Sequence, residues 1–140
     1  MAVYTKISKK DILIINNSFA IEKIVSFHGI KKGIENTNYL LKSKNKKFIL
    51  TIFEKRVVKK EIPFFMKLMD QLSNLNINCP KPLKNNQGHY LIKVKNKIAC
   101  VVTFLDGKDK KKLNLKNCFD IGKTIAQIHL STKKLKLYRK

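Results

Sequence analysis

The chain has 140 residues, with 31 Lys or Arg against 9 Asp or Glu, giving a formal charge of +22. At 44% hydrophobic residues it can bury a core and is not a disordered tail, and no run approaches the roughly 18 apolar residues of a membrane span. The N-terminus, Met1-Ala2-Val3-Tyr4-Thr5-Lys6, lacks the apolar stretch of a secretory signal, so the expected address is cytoplasmic.

Ser8-Lys9-Lys10-Asp11 reads as a helix start, with Ser8 as N-cap and an acidic residue three positions on. Ile12, Ile15 and Phe19 follow at helical spacing, and the helix is expected to end near Asn16–Ser18. Ile24–Ile30, Asn38–Lys42 and Lys47–Glu54 are strand candidates, the last two joined by a short turn, Ser43-Lys44-Asn45-Lys46. In the third of these, Phe48, Leu50 and Ile52 share one face while Ile49, Thr51 and Phe53 share the other. Both faces are largely apolar, which predicts a central strand covered on both sides.

Pro63 suits the first turn of a helix, and Phe64, Phe65, Leu68, Met69 and Leu72 follow with a period near 3.6. That helix should end by Asn74–Asn76. Cys79-Pro80-Lys81-Pro82 is extended, because a residue before proline avoids the helical region. Asn85–Gly88 is a turn. Tyr90–Val94 and Lys97–Leu105 form a second hairpin around Lys95-Asn96, broken by Asp106-Gly107. A charged linker, Lys108–Lys112, leads to a long helix capped by Asn114. Leu115, Cys118, Phe119, Ile121, Gly122, Ile125, Ala126, Ile128 and His129 are expected on or near its buried face, with a basic tail, Lys133–Lys140, beyond. Five strands with a helix between the third and fourth make a plausible α+β layer. The last helix has no second helix to pack against, an expectation of missing sequence.

Cys79, Cys100 and Cys118 are an odd number, far apart, with no Cys-x-x-Cys pair; they read as buried free thiols, not a disulfide framework or zinc site. The charge admits a nucleic-acid-binding module. Two features favour lysines filling solvated surface positions instead. Only Arg56 and Arg139 are arginine, the residue that suits bidentate phosphate and base contacts, and the lysines spread along the whole chain. No specific nucleic acid and no membrane are expected as partners.

The chemistry concentrates between Phe27 and Arg56. Gly29 precedes, and Gly33 opens, a polar loop, Gly33-Ile34-Glu35-Asn36-Thr37-Asn38-Tyr39, flanked by strands. Such a hairpin can lay backbone N–H groups over nucleotide phosphates. Six further segments stand around it in order: Met1–Thr5, Ile49-Leu50-Thr51-Ile52-Phe53-Glu54-Lys55-Arg56, Pro63-Phe64-Phe65, Cys79–Pro82, Val102-Thr103-Phe104-Leu105-Asp106-Gly107, and Gly122 to His129 in a Gly-x-x-x-Ala-x-x-His pattern. This series is collinear over essentially all 140 residues. It resembles the N-terminal lobe of the protein-kinase-like fold, and within it the bacterial homoserine kinase branch of the aminoglycoside phosphotransferase and choline kinase superfamily.

The resemblance implies a five-stranded antiparallel sheet with helices over residues 1–105, then a hinge and the first helix of a truncated C-terminal lobe over 106–140. It implies ATP and magnesium as cofactors and L-homoserine as the acceptor of the whole enzyme, on the route to threonine. Gly33, Glu35, Asn36, Thr37 and Asn38 would cover the phosphates. Asn38 matches the family's loop asparagine. Thr103, Phe104 and Leu105 would form the adenine hinge.

Thr51 stands where many superfamily members carry a phosphate-binding Lys or Arg. The carboxylate that would pair with it falls near Phe65, so both halves of that ion pair are absent together. Lys55 and Arg56 read as surface charges, with a reach to the phosphates as the alternative. The catalytic Asp and the metal-binding Asn and Asp of this fold lie in His-x-Asp and Asp-Phe motifs of the second lobe. His28, His89 and His129 are followed by Gly-Ile, Tyr-Leu and Leu-Ser, and no Asp precedes Phe. The expectation is therefore a segment without its catalytic half, inactive alone, with His129 a packed structural residue. Another small-molecule kinase of the superfamily is the rival reading within enzymes.

Overall fold

A computed structural model of the chain describes residues 3–107, 110–133, 135 and 137. Met1 and Ala2 of the first segment, Lys108 and Asp109 of the linker, and Lys134, Lys136 and Tyr138–Lys140 of the tail lie outside the described residues. The elements are α1 (Lys9–Ser18), β1 (Ser26–Gly29), β2 (Thr37–Lys42), β3 (Lys47–Ile52), α2 (Ile62–Asn74), β4 (Leu91–Val94), β5 (Lys97–Thr103) and α3 (Leu115–Thr132). A 3-10 turn at Lys59–Glu61, which the sequence did not signal, leads into α2.

The five strands form one antiparallel sheet in the order β1-β2-β3-β5-β4, with β3 central as its two apolar faces required. Phe48, Leu50 and Ile52 join Ile12, Ile15 and Phe19 in a core between the sheet and α1. On the other face Ile49 and Phe53 pack against a smaller cluster centred on Ile62, Met66, Cys100 and Val102, under α2. At the start of α1 the Asp11 carboxylate accepts both the N–H and the hydroxyl of Ser8, each at 2.7 Å. The β4–β5 turn has positive φ at both Lys95 (50°) and Asn96 (61°), the geometry of a two-residue hairpin whose twist matches its strands. Where β4 ends, the Cys79–Pro82 stretch takes over the edge of β5. Thr103 donates to the Lys81 carbonyl and Leu83 to that of Val101, both at 2.9 Å.

Two expectations fail at α3. No described residue of this helix is buried: Leu115 is 91% exposed and Phe119 70%. His129 is exposed too, not packed. Of the cysteines only Cys100 is buried; Cys79 is half-buried, and Cys118, on α3, is exposed.

Candidate functional site

Strand alternation sends Asn38, Ile49, Thr51, Cys100 and Val102 to the α2 side of the sheet. They line a hollow of about 620 Å³, open to solvent, to which α2 adds Phe65, Met66 and Met69. The pairing sets a gradient along it. Ile49 lies opposite Val102 toward one end, while Thr51 lies opposite both Asn38 and Cys100 toward the other. The apolar end meets Thr103, Phe104 and Leu105; the polar end meets Glu35 and Asn36 of the loop. Burial pushes the Cys100 thiol up to about 12, so it stays protonated and inert.

The loop between β1 and β2 is tied down at several points. Gly33 has φ 112°, a conformation that side chains rarely tolerate. Tyr4 donates its hydroxyl to the Ile34 carbonyl at 3.0 Å. The Glu54 N–H donates to Asn36 Oδ1 at 3.3 Å. Upstream, Gly29 lets the N-terminal segment close over the sheet, since a Cβ there would sit 2.9 Å from Val3 Cγ2.

Seven of the nine expected site residues line the hollow: Glu35, Asn36, Asn38, Thr51, Thr103, Phe104 and Leu105. Gly33 shapes the loop without lining it. Thr37 is fully buried and turned to the opposite, α1 face. Its Oγ1 accepts from the N–H groups of Tyr4 (3.0 Å) and Thr5 (3.1 Å) and donates to Glu54 Oε1 at 2.7 Å. Period-2 alternation held the signal, because Thr37 shares its parity with the buried Tyr39 and Leu41.

The network behind Thr37 was not legible in the sequence. Glu54 also accepts from Thr5 Oγ1 at 2.7 Å and pairs with Lys97, which donates to Thr5 Oγ1 at 2.7 Å. Burial alone would raise the Glu54 carboxyl. The hydrogen bonds from Lys97, Thr5 and Thr37 and the Lys97 charge outweigh it and hold the group below its ordinary value. Lys55 and Arg56 are exposed and, with Tyr4, Ile34 and Lys97, line a second hollow of about 310 Å³ that shares Glu35 with the first.

At the hinge, two N–H groups are already used within the protein. Thr103 donates to Lys81, and Phe104 donates to the Lys47 carbonyl at 3.3 Å. That leaves Leu105 as the hinge residue whose N–H no described residue engages. Lys47 sits over the Phe104 ring, 5.1 Å from its centroid, and pairs with Asp106 at 3.2 Å. No three His, Cys, Asp or Glu side chains converge among the described residues. No described helix is long and apolar enough to cross a membrane.

A five-stranded sheet with a cleft between a glycine-led loop and a strand-end hinge is the architecture of kinase-like phosphotransferases. Two solved structures share it. One is a spectinomycin phosphotransferase in complex with ADP and spectinomycin, with TM-score 0.70 and 15% identity over 91% of this chain and 39% of that one. The other is a microcompartment-associated aminopropanol kinase, with TM-score 0.70 and 14% identity over 93% of this chain and 42% of that one. The profile of the phosphotransferase enzyme family matches residues 26–139, and the chain belongs to that family. Among curated relatives, the homoserine kinase of Bartonella tribocorum is 37% identical over all 140 residues, which cover 44% of its length. That of Beijerinckia indica is 40% identical over 129 residues, 92% of this chain and 40% of the relative. The chain thus spans about two fifths of the length of these relatives.

Proposed function

We propose that the chain is the N-terminal, nucleotide-holding part of an ATP-dependent homoserine kinase, which moves the γ-phosphoryl of ATP to the side-chain hydroxyl of L-homoserine. The observation that carries this reading is the 620 Å³ cleft, apolar at the hinge and polar at the loop, in a chain 37–40% identical to homoserine kinases. An adenine against Ile49, Val102 and Phe104 would find the free Leu105 N–H beside it, and phosphates would lie toward Asn36 and Asn38. Glu35 and Thr103 complete the proposed nucleotide contacts, with Thr51 on the cleft floor beside them and Gly33 shaping the loop. Thr37 contributes by fixing the strand they stand on.

Phosphoryl transfer requires a base and metal-holding carboxylates that this stretch does not present. The chain alone therefore binds ATP weakly and does not turn it over. Fusing it to the part of the Bartonella tribocorum enzyme beyond the matched region tests the assignment. The fusion should release ADP in the presence of homoserine, and the 140-residue chain should not. A folded fusion that phosphorylates another small alcohol but not homoserine would replace this reading with a sister activity. Homoserine-dependent turnover by the chain alone would overturn the division of labour.

A further inference from the structure

Thr51 occupies the centre of the cleft floor, on the middle strand of the sheet, directly opposite Asn38. Its hydroxyl donates to Asn38 Oδ1 at 2.8 Å. An amide has one acceptor end and one donor end. With the oxygen taken by the hydroxyl, the two Asn38 N–H donors are left for something else. Among the described residues no hydrogen bond engages that nitrogen. Both side chains are half-buried and line the cleft at its polar end, next to Glu35 and Asn36.

The surroundings explain why a neutral pair stands here. Met66, Cys100 and Phe53 line the same hollow, and no carboxylate faces Thr51 from α2, where Phe65 borders the cleft. An ammonium at this point would stand beside those apolar side chains with no carboxylate on α2 to pair with, which is costly for a charge partly removed from water. A hydroxyl–amide pair avoids that cost and still offers two directed donors.

We infer that Thr51 is a positioning residue: it locks the Asn38 amide so that its NH2 group, and not its oxygen, meets the phosphates of the bound nucleotide. This rests on the nucleotide reading of the cleft and adds the device by which a neutral side chain does the work of a strand cation.

The test is nitrogen-15 NMR of the 140-residue chain titrated with millimolar ATP and, separately, with adenosine. Both Asn38 side-chain amide protons should shift with ATP and stay still with adenosine, while the Leu105 backbone amide moves with both. Thr51→Val removes the donor with little change of shape. It should weaken ATP about three- to tenfold, the size of one hydrogen bond, and abolish the Asn38 response, while adenosine binding is unchanged. Thr51→Ser should restore the response. Dispersed spectra of both variants establish that they fold. If ATP moves the hinge but leaves the Asn38 amide unmoved, or Thr51→Val binds ATP as the parent does, the positioning role is wrong and the nucleotide reading stands. If ATP moves no cleft resonance, both fall.

Discussion

At the scale of single residues, Glu54 is the side chain on which most depends. It lies just past the central strand, its side chain is only 10% exposed, and its carboxylate gathers Thr5, Thr37 and Lys97 while its N–H holds Asn36. Its carboxyl titrates below the ordinary value of 4.5. The stability it contributes is therefore fully present above that value and is lost as pH falls through the lower, folded one. Thermal unfolding followed from pH 7 to 3 should show Tm falling steeply at the acid end. Glu54→Gln should lower Tm at pH 7 and flatten that fall; an unchanged acid profile would show that the network is not the acid-sensitive element. None of this could be read beforehand, since Glu54 and Lys97 are 43 positions apart and neither residue type marks a contact. Asn38 and Thr51 were legible as site residues because the motifs around them run in a fixed order. Their mutual hydrogen bond was not, because it depends on a strand register that the turn at Ser43–Lys46 sets.

At the scale of elements, hydrophobic periodicity gave the strands and helices well, and the misses share a cause. β1 is shorter than Ile24–Ile30 as a named strand, yet Val25 and Ile30 still donate to Lys42 and Asn38 at 2.8 Å, so the pairing outlasts the regular geometry. The same holds at Phe53, whose N–H reaches the Ile98 carbonyl at 2.9 Å beyond the end of β3. Strand ends depend on partners, which one segment of sequence does not contain. The loop before β2 is the element whose backbone is most particular. Gly33→Ala places a Cβ at φ 112° with open space around it, so its cost is backbone strain of about 1–3 kcal/mol. Chemical denaturation should report a loss in that range. Hydrogen exchange should show faster opening at Glu35–Asn38 with β4 and β5 unaltered; equal loosening of the whole sheet would contradict a local role.

At the scale of the molecule, the sheet and its two clusters are complete, while α3 carries an apolar stripe into solvent. Ile121 and Ile125 are each 48% exposed and, with the half-buried Ile128, recur at i, i+4 and i+7, while Phe119 and Leu130 stand exposed on another face. The periodicity of this helix was legible, but which face it would bury was not, since burial belongs to whatever lies opposite. The isolated chain should self-associate as its concentration rises, read by sedimentation velocity. Ile121→Lys with Ile125→Lys should abolish this and leave the unfolding of the sheet unchanged. If the double variant associates equally, the stripe is not the cause. The carboxylates have a second consequence at this scale. The chain has nine of them against 31 cations, and Asp11, Glu22, Glu54 and Asp106 are each committed to a hydrogen bond or ion pair inside the fold. The lysines that cover the surface are left to repel one another, so the dissolved ions of the medium complete the electrostatics of this molecule. Its melting temperature should climb as ionic strength rises from low values and level off once the screening length is shorter than the spacing between those lysines.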